Sequence, residues 1–164
     1  MEFWDIVDRH GKPTGKKICR GKLNLKHGEY HRVVHVWVFF NNKFLIQKRS
    51  LNKMPMPGEW AATGGSVISG ETPVAAACRE LSEELSISAE PEQLSHVAHM
   101  VRKNSILDVY SLHINVDADS LDLQESEVES VKWVTNSQLR QMIKDGEFHN
   151  YGFEYFNYIF PLVK

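Results

Sequence analysis

The sequence predicts a mixed α/β domain in which helices cover a central sheet. The first observation is the order of elements: strands rich in Val, Phe and Trp precede an amphipathic helix, and further strands and a second helix follow. The second is the length of 164 residues, which suits one domain of ordinary size. The third is the composition, 42% hydrophobic and 24% charged, which is typical of a soluble globular protein. We therefore expect one domain over residues 1–164, with an N-terminal hairpin extension over about residues 1–30.

The first half of the chain is predicted to consist mainly of strands and turns. In order, these are a strand at Phe3 to Val7, a turn at His10 to Gly15, a strand at Lys16 to Arg20, a loop at Leu23 to Tyr30, a buried strand at Arg32 to Phe40, a turn at Asn41-Asn42, a strand at Lys43 to Lys48, a loop at Leu51 to Glu59, and a strand at Trp60 to Thr63 that leads into a turn at Gly64-Gly65.

A helix then begins at Pro73, and its start is well defined. Thr72 suits the N-cap, and Pro73 suits the first helical position because its missing N–H would be unpaired there. At about 100° per residue, five apolar side chains share one arc, which we expect to be buried. They are Val74, Ala77, Cys78, Leu81 and Leu85.

Three carboxylates form a second stripe on this helix. Glu83 lies about 60° to one side of Glu80, and Glu84 lies about 40° to the other. Like charges at this spacing repel one another, so a helix with no use for them would rarely collect them. A cation such as Mg²⁺ would turn the repulsion into coordination and would retain waters for a phosphate substrate. For this helix considered alone, a solvated acidic face is the alternative.

The second half of the chain is predicted to add three strands and two helices. In order, these are a turn at Glu90 to Glu92, strands at Leu94 to Arg102 and Leu107 to Val116, an acidic loop at Asp117 to Glu127, a strand at Val128 to Val134, a helix at Thr135 to Lys144 that ends at Gly146, and a final helix within Phe148 to Phe160. We expect the aromatic tail to cover the sheet; a homodimer interface is the alternative, so monomer and homodimer both stay open.

Charge and cysteine content limit the partners. The net charge of −2 argues against a dedicated nucleic-acid-binding protein. The basic stretch from Arg9 to Gly28 contains no acid, and it either steers a phosphorylated ligand or forms a solvated hairpin. Cys19 and Cys78 form neither a disulfide framework nor a metal motif. With no signal-length apolar core at the N-terminus and no run long enough to span a bilayer, we expect a cytoplasmic protein without a membrane partner.

The stretch from Gly65 to Ile87 carries a specific spacing of glycine, acidic and basic residues. The positions concerned are Gly65, Glu71, Arg79, Glu80, Leu81, Glu83, Glu84 and Ile87. This spacing resembles the Nudix box, and the resemblance implies a Nudix-type α/β/α sandwich with a central mixed sheet. Ser86 stands where the box has a glycine that would supply a left-handed helix cap. Serine there costs on the order of 1 kcal/mol and leaves the carboxylates in place.

The resemblance implies that the helix binds a catalytic metal. Glu80, Glu83 and Glu84 look like metal ligands, and a backbone carbonyl at Gly64 or Gly65 would complete the site. The implied reaction is hydrolysis of a nucleoside diphosphate linked to another group, with Mg²⁺ or Mn²⁺ as the cofactor. In that chemistry, water attacks a phosphorus while the cation neutralises phosphate oxygens and activates the water.

The resemblance also implies supporting and catalytic residues around the metal. Arg79 looks like the residue that orients the glutamates by ion pairing. Glu71 is similar to the family's supporting glutamate, which holds either the loop or a second metal. The general base of this family varies in position, so several acids are candidates. They are Glu83, Glu84, Asp108, Glu125, Glu127 and Glu129.

Three basic residues and one acid are candidates for substrate contacts. Lys48, Arg49 and Lys53 lie between the hairpin strand and the box, where they either contact phosphate or are ordinary surface residues. Asp108 is isolated within an apolar strand, which marks it as a further candidate for the substrate site.

A second resemblance concerns the branch of the family. EYHRVVHVWVFFNNKFLIQKRS followed by PGEWAATGG resembles Nudix proteins related to type I isopentenyl-diphosphate isomerase. That isomerase needs metal-binding histidines, one of which matches His31, and a cysteine shortly after the tryptophan. No cysteine follows Trp60 before Cys78, and the box glutamates are intact. The sequence therefore favours hydrolysis, with isomerisation and a non-catalytic nucleotide-binding module as the alternatives. For His31, the alternative to metal binding is a structural role at the end of a strand.

Overall fold

In the computed structural model, which describes residues 1–22 and 24–163, the fold is built around a central mixed sheet. The strands are β1 (Phe3–Val7), β2 (Pro13–Cys19), β3 (His31–Phe40), β4 (Lys43–Arg49), β5 (Trp60–Ala61), β6 (Thr63–Ser66), β7 (Leu94–Val101), β8 (Ser105–His113) and β9 (Val128–Thr135). The α-helices are α1 (Pro73–Leu85), α2 (Asn136–Lys144) and α3 (Phe153–Ile159).

Strand β3 organises the sheet. One of its edges pairs in parallel with β8, from His31 opposite Ser105 to Phe39 opposite His113. The other edge is shared, because residues 33–36 pair with β6 and residues 38–40 pair with β4, both antiparallel. Strands β5 and β9 pair with β4, and β7 forms the far edge beside β8. The sheet is therefore mixed, as the sequence predicted.

The two faces of the sheet bury two hydrophobic clusters. Successive side chains of a strand point to opposite faces. On β3, Val34 and Val36 pack with Leu81 of α1 on one face, whereas Trp37 packs with Tyr155 of α3 on the other. Helix α2 joins α3 on that second face. The predicted α/β/α sandwich is confirmed.

The N-terminal hairpin of β1 and β2 is tied to the loop that precedes α1. The carboxylate of Asp5 accepts hydrogen bonds from the Ser69 hydroxyl and the Gly70 N–H, both at 2.8 Å. Val7 also bridges to Tyr30, where the predicted loop of residues 23–30 ends. The first residue of that loop, Leu23, lies outside the described residues.

Several predicted boundaries differ from the structure. The predicted turn at Gly64-Gly65 is wrong, because both glycines lie within β6 and pair with β3. Strand β8 ends at His113 rather than at Val116. In the aromatic tail, the α-helix begins only at Phe153, and Phe148 instead bridges to Trp60. Among the described residues, no helix is long and apolar enough to cross a membrane.

Candidate active site

Helix α1 begins and ends where local chemistry dictates. The Thr72 hydroxyl accepts a hydrogen bond from the Ala75 N–H at 3.3 Å, so the predicted N-cap is confirmed. At the other end, Ser86 adopts the left-handed conformation with φ of 53°. Its hydroxyl oxygen accepts from the Asp122 N–H at 2.9 Å and donates to the Leu85 carbonyl at 2.7 Å. The serine that replaces glycine therefore holds the following loop against the helix end.

The buried face of α1 differs in part from the predicted arc. Val74 and Cys78 are only half-buried, whereas Ala76 and Glu84 are buried. Because Glu84 turns towards the sheet and Glu83 stays half-exposed, the carboxylate stripe lies across the boundary between protein and solvent.

Arg79 joins the loop before α1 to the carboxylates on the helix. Its guanidinium donates to both carboxylate oxygens of Glu71 at 2.9 and 3.1 Å, to Glu80 at 2.8 Å and to Glu83 at 3.2 Å. It also donates to the Ser66 carbonyl on β6 at 3.0 Å. Burial alone would lower the pKa of Arg79, but the hydrogen bonds to Glu71 and the charge of Glu80 raise it above its ordinary value. Arg79 is therefore a permanent charge that fixes three carboxylates.

Glu80 lies directly against the backbone of Gly65. A Cβ atom at Gly65 would lie 2.2 Å from the nearer carboxylate oxygen of Glu80, so only glycine leaves room for this carboxylate. Burial, together with the negative charge of Glu84, raises the pKa of Glu80 to about 7, although Arg79 opposes the shift. The glycine of β6 and the carboxylate on α1 are therefore in direct contact.

Glu84 is held by two residues whose roles were not predicted. Its side chain is 1% exposed and accepts from Gln47 Nε2 and Lys53 Nζ, both at 2.9 Å. The amide oxygen of Gln47 accepts in turn from the Thr63 hydroxyl at 2.8 Å. The available signal for Gln47 was its place directly after the apolar residues Phe44, Leu45 and Ile46 of β4, because a polar side chain that is buried with them needs partners.

Lys53 connects Glu84 to the acidic loop. Its ammonium group also contacts the carboxylate of Glu127. Burial would lower the pKa of Lys53, but the charge of Glu84 and the hydrogen bond to Glu127 raise it. Of the predicted base candidates Glu125, Glu127 and Glu129, the structure brings Glu127 to the cluster, whereas Glu129, on β9, pairs with Lys48 at 3.3 Å and Glu125 lines a surface cavity.

Of the four predicted substrate contacts, Lys53 lies at the carboxylates, whereas Lys48, Arg49 and Asp108 do not converge on them. Lys48 pairs with Glu129, and the Nε of buried Arg49 donates to the Pro55 carbonyl at 3.0 Å. Asp108 binds a different set of side chains, on β3 and β7. Contact of these three residues with substrate therefore requires a substrate that extends beyond the carboxylate cluster.

His31, a candidate metal ligand from the isomerase resemblance, is occupied elsewhere. Its Nδ1 lies 3.0 Å from the Asn104 carbonyl, and its ring stacks on Trp4 with 5.0 Å between centroids. These contacts are those of a strand-end histidine that holds the N-terminal hairpin against the sheet.

The carboxylate cluster suits a divalent cation. Its donors are carboxylate oxygens and nearby backbone carbonyls, which are the ligands that hard cations prefer. The acidic side chains outnumber the cations that balance them, Arg79 and Lys53. A divalent ion would offset this excess of negative charge, so the residues present fit the metal that the resemblance implies.

The chain combines an α/β/α sandwich with a carboxylate cluster beside a glycine-containing strand. A model of the NUDIX domain matches residues 29–156. The chain therefore belongs to the Nudix domain family, an enzyme family of pyrophosphohydrolases whose members generally use divalent metal ions.

Individual relatives agree with this assignment. The chain is 35% identical to an uncharacterized Nudix hydrolase of Listeria monocytogenes, over 93% of this chain and 91% of that protein. It is 31% identical to an isopentenyl-diphosphate delta-isomerase of Aspergillus fumigatus, over 84% of this chain and 61% of that protein. A crystal structure of a Deinococcus radiodurans protein matches the fold with a TM-score of 0.76 and 24% identity, over 91% and 93% of the two chains. The predicted likeness to the isomerase-related branch is confirmed.

Proposed function

We propose that this chain is a metal-dependent hydrolase that cleaves a diphosphate linkage in a nucleotide or a related small molecule. The observation that carries the proposal is the hydrogen bonding of one arginine, Arg79, to Glu71, Glu80 and Glu83, beside the buried Glu84. An acidic helix face that was merely solvated would not need a buried glutamate or an arginine that holds its carboxylates in place.

The residues that would hold the cation are Glu80, Glu83, Glu84 and the carbonyl of Gly65. Mg²⁺ or Mn²⁺ bound there would neutralise phosphate oxygens and lower the pKa of a coordinated water. Arg79 fixes the orientation of its carboxylate partners, and the Gln47 amide fixes that of Glu84. The protein thereby prepares the site before the substrate arrives.

The candidates for the general base can be narrowed by position. Glu83 is half-exposed and can reach a solvent molecule, whereas Glu84 is enclosed. Glu127 belongs to the acidic loop and faces Glu84 across Lys53. We therefore assign proton abstraction to Glu83, Glu84 or Glu127, and we expect Lys53 to face the phosphate groups.

The expected location of the reaction is the cytoplasm.

Isomerisation of isopentenyl diphosphate is the second candidate function, favoured by relatives with that name. The residues of the site disfavour isomerisation, because the position near Trp60 where the isomerase needs a cysteine holds no thiol. Thr63 in that stretch is buried, and its hydroxyl donates to Gln47. Incubation with isopentenyl diphosphate decides the question: formation of the allylic isomer without phosphate release would overturn the hydrolase proposal.

The proposal is tested by measuring turnover on a panel of nucleoside di- and triphosphates, dinucleotide polyphosphates, nucleotide sugars and NADH, with Mg²⁺ or Mn²⁺. We expect at least one substrate to be hydrolysed, with loss of activity in EDTA. In Glu83→Gln, turnover should fall by at least about 10²-fold. The matched control is Glu92→Gln, since Glu92 is an exposed glutamate outside α1. Nucleotide binding without hydrolysis of any substrate would instead favour a non-catalytic module.

A further inference from the structure

A β-bulge in the edge strand brings two histidines to the same face of the sheet. On β7, His96 lies opposite Tyr110 and Ala98 lies opposite Val109, so β7 contains one extra residue at this point. Residues three apart in a regular strand point to opposite faces. Because of the bulge, His96 and His99 both point to the face on which Asp108 lies.

Both imidazoles converge on one oxygen atom. His96 Nε2 lies 3.0 Å and His99 Nδ1 lies 2.9 Å from Asp108 Oδ1. The three potential ligand atoms all lie within 4.8 Å of one another. Asp108 is buried, whereas the two histidine side chains are each nearly half-exposed, so the cluster opens to solvent on the histidine side.

Neutralisation of Asp108 does not account for the two histidines. Arg32 already donates to the other carboxylate oxygen of Asp108, at 2.8 Å. Because Arg32 already balances the charge of Asp108, the carboxylate does not need the two imidazoles for neutralisation. Two imidazoles that converge on the same carboxylate oxygen are instead typical of a set of metal ligands.

We propose that His96, His99 and Asp108 form a second metal site, separate from the carboxylate cluster and suited to Zn²⁺ or a similar late first-row divalent cation. Zn²⁺ binds imidazole nitrogen and carboxylate oxygen at about 2.0–2.2 Å, which places tetrahedral ligand atoms about 3.3 Å apart. The nitrogen-to-oxygen distances present need to lengthen by only a few tenths of an ångström. Two imidazoles and one carboxylate leave room for water to complete the coordination.

Arg32 supports the site from the other side of the carboxylate. Its hydrogen bond to Oδ2 fixes the Asp108 side chain so that Oδ1 faces the histidines. Hydrogen bonding of this kind orients ligating carboxylates in metal sites. Arg32 has no acceptor and cannot itself bind a cation.

The two metal sites differ in position and in chemistry. Val34 lies between Gly65 on β6 and Asp108 on β8, so the sites are two strands apart, about 10 Å. The carboxylate cluster offers only oxygen ligands and suits Mg²⁺, whereas nitrogen ligands favour later transition metals. The second site is therefore expected to bind Zn²⁺ when Mg²⁺ already occupies the first.

Calorimetric titration of the untagged protein with Zn²⁺ in millimolar Mg²⁺ tests the proposal. We expect one saturable Zn²⁺ site, which is weakened by at least about 10-fold in both His96→Gln and His99→Gln. The matched control His27→Gln, at an exposed histidine elsewhere, should bind as the unmodified protein does. Glu83→Gln should also retain the site, which makes the result independent of the proposed hydrolase function.

A second measurement guards against misfolded variants. Zn²⁺ should raise the melting temperature of the unmodified protein and of His27→Gln, but not that of His96→Gln or His99→Gln, because only a bound ion stabilises the folded state. The proposal is overturned if Zn²⁺ does not bind saturably. It is also overturned if the folded His96 and His99 variants bind Zn²⁺ as well as the control does, or if Glu83→Gln alone removes the binding.

Discussion

Glu84 and Glu83 are adjacent glutamates, but only removal of the Glu84 charge should lower the stability of the fold. Glu84 is 1% exposed and accepts one hydrogen bond on each carboxylate oxygen, from Gln47 and Lys53. Glu83 is 51% exposed and accepts a single bond, from Arg79 at 3.2 Å. The perturbation is the isosteric change Glu84→Gln, compared with Glu83→Gln.

The magnitude follows from counting donors and acceptors. A glutamine amide has only one acceptor oxygen, so in Glu84→Gln either Gln47 or Lys53 would face an NH₂ group. An unsatisfied buried polar group costs about 1–3 kcal/mol. In a domain of this size, each kcal/mol lowers the melting temperature by roughly 2–4 °C. Surface changes such as Glu83→Gln usually stay within about 0.5 kcal/mol.

The assay combines thermal unfolding in EDTA with turnover in Mg²⁺. Both variants should lose at least about 10²-fold in kcat on the best substrate, since each removes a proposed metal ligand. Only Glu84→Gln should lower the melting temperature, by roughly 2–12 °C. The reasoning about burial is refuted if the two variants unfold at the same temperature, or if Glu84→Gln is as stable as the unmodified protein.

Three further predictions concern the same helix and its loop. Gly65→Ala should weaken binding of Mn²⁺, measured by calorimetry, because the added Cβ would lie 2.2 Å from a carboxylate oxygen of Glu80 and displace it; unchanged affinity would contradict this packing. Burial and the charge of Glu84 raise the pKa of Glu80 to about 7, so Mn²⁺ affinity should rise with pH up to about 7 and then level off. Because the pKa of Glu80 is higher in the folded state than in the unfolded state, the unfolding free energy in EDTA should fall as the pH rises from about 4.5 to about 7. An unfolding free energy from urea titrations that does not change over this pH range would exclude the raised pKa of Glu80. Ser86→Gly should change the unfolding free energy by less than about 0.5 kcal/mol in a urea titration. Glycine relieves the strain of the left-handed conformation, but it also loses the hydrogen bond from the Asp122 N–H, and the two effects offset each other. A gain in unfolding free energy of about 1 kcal/mol or more would show that this hydrogen bond contributes little.

The start and end of α1 could be predicted from the sequence because they depend on neighbouring residues. The hydroxyl of Thr72 reaches an N–H three positions later, and proline fits the first helical position whatever surrounds it. Ser86 adopts the left-handed cap that its place after the helix required.

The parts of the site that could not be predicted depend on contacts between distant segments. Gln47 and Lys53 reach Glu84 across more than thirty positions, and only the pairing of β4 and the course of the following loop bring them there. Helical periodicity placed Glu83 and Glu84 in one stripe, but it could not show that the sheet encloses Glu84 alone. The bulge in β7 that unites His96 and His99 likewise arises from strand register, which carries no local signal here.

The most direct test of the central claim is to locate the bound cation. Crystals grown or soaked with Mn²⁺ would give an anomalous peak at the ion. We expect a peak about 2.0–2.3 Å from carboxylate oxygens of Glu80, Glu83 and Glu84, near the Gly65 carbonyl, and a weaker peak or none in crystals of Glu83→Gln. If the unmodified protein hydrolyses its substrate but shows no Mn²⁺ at these carboxylates, the proposed metal site is wrong.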